Sequence, residues 1–229
     1  MREYYAELSS EGSLAGKCAM SLPPDVAGKR VLDVGCRGGK GALALADAVG
    51  EGGYVLGVDP DATRLVEARM RAARDHWAGE RWQDFLEFKP GCFEDLAEAG
   101  VPAASFDVVY VNSSINVCWD LRLALKAAAR VLVPGGILWV AGGVFALGDG
   151  VPEDAAAAHR GDGNVFAAAL TQDAFRSLSF GKRRFANCEF LGEAPIAPSG
   201  EEASPDVAGV SFVSADVRLT KAGDQEASH

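Results

Sequence analysis

Short apolar runs and helical stripes alternate along the first two thirds of the chain. Runs at residues 31–35 (VLDVG), 54–59 (YVLGVD), 86–93, 106–111 (FDVVYV) and 137–140 (ILWV) have strand length and β-branched or aromatic character. Between them, residues 41–49 (GALALADAV), 62–78 and 121–132 carry apolar residues at helical spacing. Gly50 and the Gly52-Gly53 turn stop the first of these helices, and Pro134-Gly135-Gly136 stops the last. Strands alternating with helices predict crossover connections and a parallel sheet. Such a sheet is covered on both faces, which suits the unbroken runs VVYV and ILWV better than a half-solvated sheet would.

After residue 144 the pattern changes. Residues 145–164 are rich in Gly, Asp and Ala and read as a loop or mobile cover. Residues 171–180 read as a helix with Thr171 as its N-cap and Asp173 in the first turn. Residues 189–196 and 210–219 read as strands. In the second, Val213, Ala215, Val217 and Leu219 alternate with polar residues, the signature of a half-buried antiparallel strand. Residues 198–205 form a polar Pro/Gly/Ser loop. The expected organisation is a leader or cover over 1–23, with a helix at its start, and a ligand-binding core over 24–144. A substrate-side cover with C-terminal strands occupies 145–221, and residues 222–229 form a disordered tail.

The chain has 229 residues, enough for one α/β domain with elaborations. Its formal charge of −10, from 22 basic and 32 acidic residues, opposes binding to a phosphate backbone and favours a small-molecule partner. No apolar run approaches the roughly 20 residues that span a bilayer. The start, MREYYAELSSEG, lacks the apolar stretch of a secretion signal, so the expected location is cytoplasmic, without membrane or nucleic-acid partners. Five cysteines (Cys18, Cys36, Cys92, Cys118 and Cys188) lie far apart and are odd in number, which fits free thiols. They show no zinc-ligand spacing, and no metal site is expected.

The candidate chemistry centres on RVLDVGCRGGKG at residues 30–41: a strand, a glycine-rich turn, then a helix. In a doubly wound sheet this is where the backbone meets a nucleotide-like ligand. Asp59 ends the second strand, 24 residues after Gly35, and an acidic side chain there can accept hydrogen bonds from both ribose hydroxyls of an adenosine. Asp33 lies inside the first strand, where a buried carboxylate is costly unless satisfied. It either orders the turn through its amides or meets a ligand ammonium through water. The dinucleotide fingerprint G-x-G-x-x-G is missing from this turn, which disfavours a nicotinamide oxidoreductase.

Asp33-Val34-Gly35-Cys36-Arg37-Gly38-Gly39 instead resembles the D-V-G-C-G-x-G turn of class I S-adenosylmethionine-dependent methyltransferases. Three further segments carry the same resemblance in order: Gly57-Val58-Asp59, Gly91-Cys92-Phe93-Glu94-Asp95-Leu96, and Arg130-Val131-Leu132-Val133-Pro134-Gly135-Gly136. The resemblance implies a Rossmann-like α/β fold with a seven-stranded, mostly parallel sheet and helices on both faces. It implies S-adenosyl-L-methionine as cofactor, held by Asp33, Gly35, Cys36, Arg37, Gly39, Asp59, Pro60 and Asn112, with Phe93 and Glu94 around the adenine. The chain also resembles arsenite methyltransferases from about residue 4 to 221. The likeness lies in Tyr4-Tyr5-Ala6-Glu7-Leu8, in residues 107–117 (DVVYVNSSINV), in Ala168-Ala169-Leu170-Thr171 and in the last strand.

That family binds arsenic through three cysteines, as a soft thiophilic centre requires. Here Cys18 matches the first position, Ser113 stands at the second, and Asn164 or Val165 stands at the third. A serine hydroxyl is a hard, poor arsenic ligand. Cys118, five residues beyond Ser113, is either a replacement thiol or a small buried hydrophobe. The substrate-side candidates are therefore Cys18, Ser113, Asn116 and Cys118. His159 is either a base near the pocket or a solvated loop histidine, and no catalytic residue is assigned. Arg37 stands where the family has a small residue. Pointing outward it leaves the turn open; pointing inward it pairs with the cofactor carboxylate or blocks the site. The function implied is methyl transfer to a small-molecule acceptor, the alternative being a non-catalytic ligand-binding relative.

Overall fold

In the computed structural model the described residues are 1–8, 20–76, 82–158, 163–181 and 184–223. Cys18, His159 and residues 224–229 lie outside them. Seven strands form one sheet: β1 (Arg30–Val34), β2 (Tyr54–Asp59), β3 (Leu86–Pro90), β4 (Phe106–Asn112), β5 (Leu132–Ala146), β6 (Phe185–Ile196) and β7 (Phe212–Lys221). Their spatial order is β3-β2-β1-β4-β5-β7-β6. β1 to β5 pair in parallel, and β7 inserts antiparallel between β5 and β6. This is the doubly wound, mostly parallel sheet that the alternation predicts.

The helices are α1 (Arg2–Glu7), α2 (Lys40–Val49), α3 (Ala62–Arg71), α4 (Leu121–Val131), α5 (Glu153–Ala158) and α6 (Gln172–Ser179). Local chemistry sets their starts. Asp61 accepts the amides of Thr63 and Arg64 at the head of α3, Asp120 accepts that of Leu123 at α4, and Thr171 accepts that of Ala174 at α6. Alternation along each strand sorts side chains into two cores. Leu32, Val34, Val109, Val111, Leu138 and Val140 pack with α4 and α6 on one face. Val31, Val108, Tyr110, Ile137 and Trp139 pack with α2 and α3 on the other. Asp33 has the parity of this second face and pairs in register with Tyr110. A third, smaller core joins Val144 and Ala146 to residues 165–169, Val207 and Phe212 under the C-terminal region.

Several element boundaries differ from the sequence reading; β6, for one, begins at Phe185 rather than 189. The third strand stops at Pro90, which cannot donate to a ladder, and Phe93–Asp95 form a 3₁₀ turn. The helix expected over 62–78 passes at Ala72 into a π-helical turn ending at His76. β5 extends well beyond 137–140, because β7 pairs with it as far as Ala146. The stretch expected to be loop therefore begins inside a strand, and it also contains α5. No helix among the described residues is long and apolar enough to cross a membrane.

Candidate active site

The chain turns outward in opposite directions after β1 and β4, so the carboxyl ends of these neighbouring strands flank the crevice where open α/β sheets bind ligands. Gly35 follows β1 with φ +71, and a Cβ there would lie 3.2 Å from Ser114 Oγ on the loop after β4. Turn and loop thus approach closely. Gly39, at φ +80, heads α2, and a Cβ on it would meet Ala68 of α3 at 2.8 Å, so only glycine lets the two helices close here.

The turn's amides are directed inward. Gly35 and Cys36 donate to Val58 O, Arg37 to Asp59 Oδ2 at 2.8 Å, and Gly39 to Cys36 O. Turns that bind phosphate aim such amides at the ligand; these four are already paired. Arg37 adopts φ +48, the left-handed conformation that favours glycine. That conformation aims its N–H at Asp59. Its guanidinium charge also favours the ionised form of Asp59. Cys36 turns its side chain into the α2 core, where its sulfur would be 2.9 Å from a Cβ on Gly57. Burial, then the Asp33 and Asp59 charges, push its thiol pKa up.

Three buried carboxylates gather at the carboxyl ends of the first three strands. Asp59 is 5% exposed, and its Oδ1 accepts the Asp61 amide at 2.9 Å. Burial raises its pKa, against the lowering effect of the Asp61 and Arg37 amides. Each of its oxygens keeps a further lone pair for a donor such as a ribose hydroxyl. Asp33 is 2% exposed, and burial followed by the Asp59 charge pushes it up to about 8. Its Oδ2 is buried with no hydrogen-bond partner. Glu94 is 8% exposed; its Oε1 accepts from Tyr5 Oη at 2.6 Å and from the Asp120 amide at 3.3 Å, while its Oε2 has no partner. Phe93 is buried and packs into the core cluster on the α4 side, and Pro60 is half-buried beside Asp59.

Helix α1 closes one side. Tyr5 Oη also accepts the Trp119 amide at 3.3 Å, and Tyr4 Oη donates to Val117 O at 2.9 Å. Helix α1 is thereby stitched to the loops after β3 and β4. The Cys118 thiol donates to Ser114 O at 3.6 Å. Burial and the nearby Glu94 charge raise its pKa well above the usual thiol value, so it stays protonated.

The substrate-side candidates part company. Ser113, φ +56 and buried, donates its hydroxyl to Asn112 Oδ1 at 3.1 Å. Asn116 forms a two-bond clamp on β5: Nδ2 donates to Val144 O at 2.7 Å, and Oδ1 accepts the Val144 amide at 3.0 Å. Asn164 is buried and caps its own turn, accepting the amides of Phe166 and Ala167. Asn112 closes β4 at the crevice, half-buried. Among the described residues no cluster of three or more His, Cys, Asp or Glu suits a metal ion, and Cys36, Cys92, Cys118 and Cys188 are free thiols. A cavity of about 250 Å³ among Lys29, Asp107, Gly136 and Arg218 lies at the opposite ends of the parallel strands and is remote from these groups. Sequence reading missed Tyr5 as a partner of Glu94, because the two are 89 residues apart. It also missed Tyr110, whose place in an apolar run hides its hydroxyl.

The comparisons agree with this geometry. Residues 32–140 match the methyltransferase domain family. The arsenite methyltransferase of Aquipseudomonas alcaligenes is 31% identical over 207 residues, 89% of this chain and 58% of that protein. The arsenite methyltransferase of Mus musculus is 32% identical over 60% of this chain and 36% of its own length. The chain thus spans little more than half of one of these curated relatives and about a third of the other. Among solved structures, CrArsM, an arsenic(III) S-adenosylmethionine methyltransferase from Chlamydomonas reinhardtii, superposes with a TM-score of 0.78. It is 29% identical, over 97% of this chain and 74% of that one. Sheet order, glycine turn and these similarities make the chain similar to class I S-adenosylmethionine-dependent methyltransferases, with arsenite methyltransferases among the proteins it resembles.

Proposed function

We propose that this chain binds S-adenosylmethionine in the crevice after β1 and transfers its methyl group to a small-molecule nucleophile. The observation that carries the reading is the pairing of three buried carboxylates, Asp33, Asp59 and Glu94, with a turn whose amides are directed inward. Such a site repels phosphate and suits a ligand that is cationic and rich in hydroxyl and amine donors. Two of the carboxylates keep a buried oxygen without a partner, so the residues present fit the cofactor. In this reading Asp59 accepts from the ribose hydroxyls, Glu94 faces the adenine end, and Asp33 lies toward the cationic end. Gly35 and Asn112 border the methionine portion.

When bound, the cofactor supplies a sulfonium methyl open to in-line displacement. The protein's part is to position the acceptor and to exclude water. The α1 helix with Tyr4 and Tyr5 covers one side. The acceptor side differs from the three-thiolate pattern that the resemblance implies. Ser113 donates its hydroxyl inward, Asn164 caps a turn, and the Cys118 thiol is held protonated. These residues suit an organic oxygen, nitrogen or sulfur nucleophile better than arsenite. The free thiols fit a reducing, cytoplasmic setting.

The test is methyl transfer from labelled S-adenosylmethionine to a panel of small hydroxyl, amine and thiol acceptors, run beside arsenite with excess thiol. Turnover within the organic panel is expected. Rapid arsenite methylation, lost in Cys118→Ser, would overturn the acceptor assignment. Absence of cofactor binding would overturn the whole reading.

A further inference from the structure

Val213, Ala215, Val217 and Leu219 of β7 pack into the α4 core, so Ser214, Asp216 and Arg218 belong to the opposite face of the sheet. On that face the core under α2 and α3 ends at Trp139 and Ala141 of β5, and the third core begins at Val144 of β5 and Phe212 of β7. Ser214 and Asp216 lie between these two cores, both half-buried. The ladder is bulged here. Val140 pairs with Val217 and Gly143 with Ala215, so Ala141 and Gly142 together oppose Asp216. Gly142 takes φ +62, and its amide donates to Asp216 Oδ1 at 2.9 Å. The bulge thus fixes one carboxylate oxygen and leaves the other for a donor that the described residues do not supply.

This bulge sits at the rim of the crevice. Ala141 is the register partner of Asn112, the last residue of β4, and its carbonyl accepts the Ser113 amide at 2.8 Å. Asp216 is therefore level with the carboxyl ends of β4 and β5. β7 stands three strands from β1, roughly 14 Å away, on the side opposite β2 and β3. Asp59 and Glu94, assigned to the adenosine, lie on that other side, so Asp216 falls where an acceptor would lie. Tyr110, fully buried on the same face, brings a hydroxyl without a hydrogen-bond partner near Asp216. Burial, then the Asp33 and Asp216 charges, push the phenol's pKa up, so it stays protonated. Among the described residues Asp216 makes no ion pair. Arg218, next on its face, is exposed and lies 4.0 Å from Glu189 instead. Aspartate is disfavoured in strands, and a half-buried carboxylate without a cation is costly. The chain's charge of −10 draws small cations toward such a group.

We propose that Asp216 is a specificity-determining residue of the acceptor site: its carboxylate, aimed by the Gly142 bulge, anchors an ammonium group on the methyl acceptor, which is therefore an amine-bearing small molecule. The proposal rests on the methyl-transfer reading above and names its substrate class. An ammonium group has three donors, enough to serve Asp216 Oδ2 and the unpartnered Tyr110 oxygen together. A neutral analogue of the same shape leaves the carboxylate unbalanced, so the site discriminates against it.

The test is methyl transfer from labelled S-adenosylmethionine, catalysed by the full chain, to matched acceptor pairs that differ in one ammonium group: cysteamine with mercaptoethanol, and tyramine with para-ethylphenol. In the unaltered protein kcat/KM should favour the amine member of a pair by at least about tenfold, the equivalent of ~1.4 kcal/mol, chiefly through KM. Asp216→Asn keeps an oxygen for the Gly142 amide and loses the charge, so the ratio within the pair should fall to about one. Were Asp216 there only to fix the bulge, asparagine would do as well and the preference would survive. Calorimetric titration with S-adenosylhomocysteine shows that the variant is folded and that its cofactor site is intact. Four results would overturn the proposal and leave the cofactor reading standing: no preference in the unaltered protein, a preference that persists in Asp216→Asn, no turnover of any member with cofactor bound, or loss of S-adenosylhomocysteine binding in Asp216→Asn alone. Failure of S-adenosylhomocysteine to bind the unaltered protein would overturn the cofactor reading itself.

Discussion

Replacing Arg37 with glycine should stabilise the protein. Arg37 holds φ +48 within the turn, a conformation that costs an L side chain about 1–2 kcal/mol. Glycine removes this strain but brings extra freedom to the unfolded chain, a cost of roughly 0.5–1 kcal/mol. The half-exposed guanidinium contributes little through its charge on Asp59, since solvent screens it. The net gain is about 0.5–1 kcal/mol, or a rise in Tm of roughly 1–4 °C for a domain of this size. Arg37→Ala provides the control, because alanine keeps the strain and loses the guanidinium; its Tm should stay level or fall. Thermal unfolding followed by circular dichroism reads both. The amide bond to Asp59 survives in either variant, so calorimetry should find ligand affinity altered by the side chain alone. A Tm for Arg37→Gly at or below that of Arg37→Ala would refute the argument and show that the arginine side chain makes a contact worth more than the strain.

Three other outcomes follow from the same geometry. Asp33 has a folded pKa of about 8 against 3.8 unfolded, so its contribution to stability is full below about pH 4 and lost as pH rises through 8. Asp33→Asn keeps an acceptor for the Ala42 amide and should gain on the order of a few kcal/mol over the unaltered protein at pH 9 but little at pH 4; denaturant titrations at the two pH values check this. Asn116→Ala loses both bonds to Val144 and leaves β5 backbone groups unpaired, which should cost about 2–3 kcal/mol in a urea titration. Tyr5→Phe removes the hydroxyl between Glu94 and Trp119, so amide exchange at residues 2–7 should quicken while the exchange of β1 and β4 stays the same.

What could be read from the sequence follows the range of the forces involved. β2 is found at residues 54–59, as expected, because its run is bounded by a glycine turn and an aspartate. The caps of α3, α4 and α6 act within three residues of the chain, and Thr171 was legible for that reason. The sequence pattern shows only part of β5, because its last residues are held by β7, some 70 residues later. Within the site, the glycine turn and Asp59 are local motifs and were visible. The left-handed backbone of Arg37 was not, since nothing nearby in sequence shows that the turn had to aim an amide at Asp59. Asn116 looked like a crevice residue until the fold brought Val144 to it. Glu94 and Tyr5, and likewise Asp33 and Tyr110, meet only through strand order, which no periodicity contains.

The central claim is that the crevice beside Asp59 binds S-adenosylmethionine, and calorimetric titration of the full chain with this cofactor tests it most directly. Asp59→Ala removes the carboxylate assigned to the ribose hydroxyls and also the acceptor of the Arg37 and Asp61 amides. The account predicts saturable one-to-one binding to the unaltered protein, weakened at least about tenfold in Asp59→Ala, the equivalent of ~1.4 kcal/mol. An absence of binding, or equal affinity in the two proteins, would contradict it.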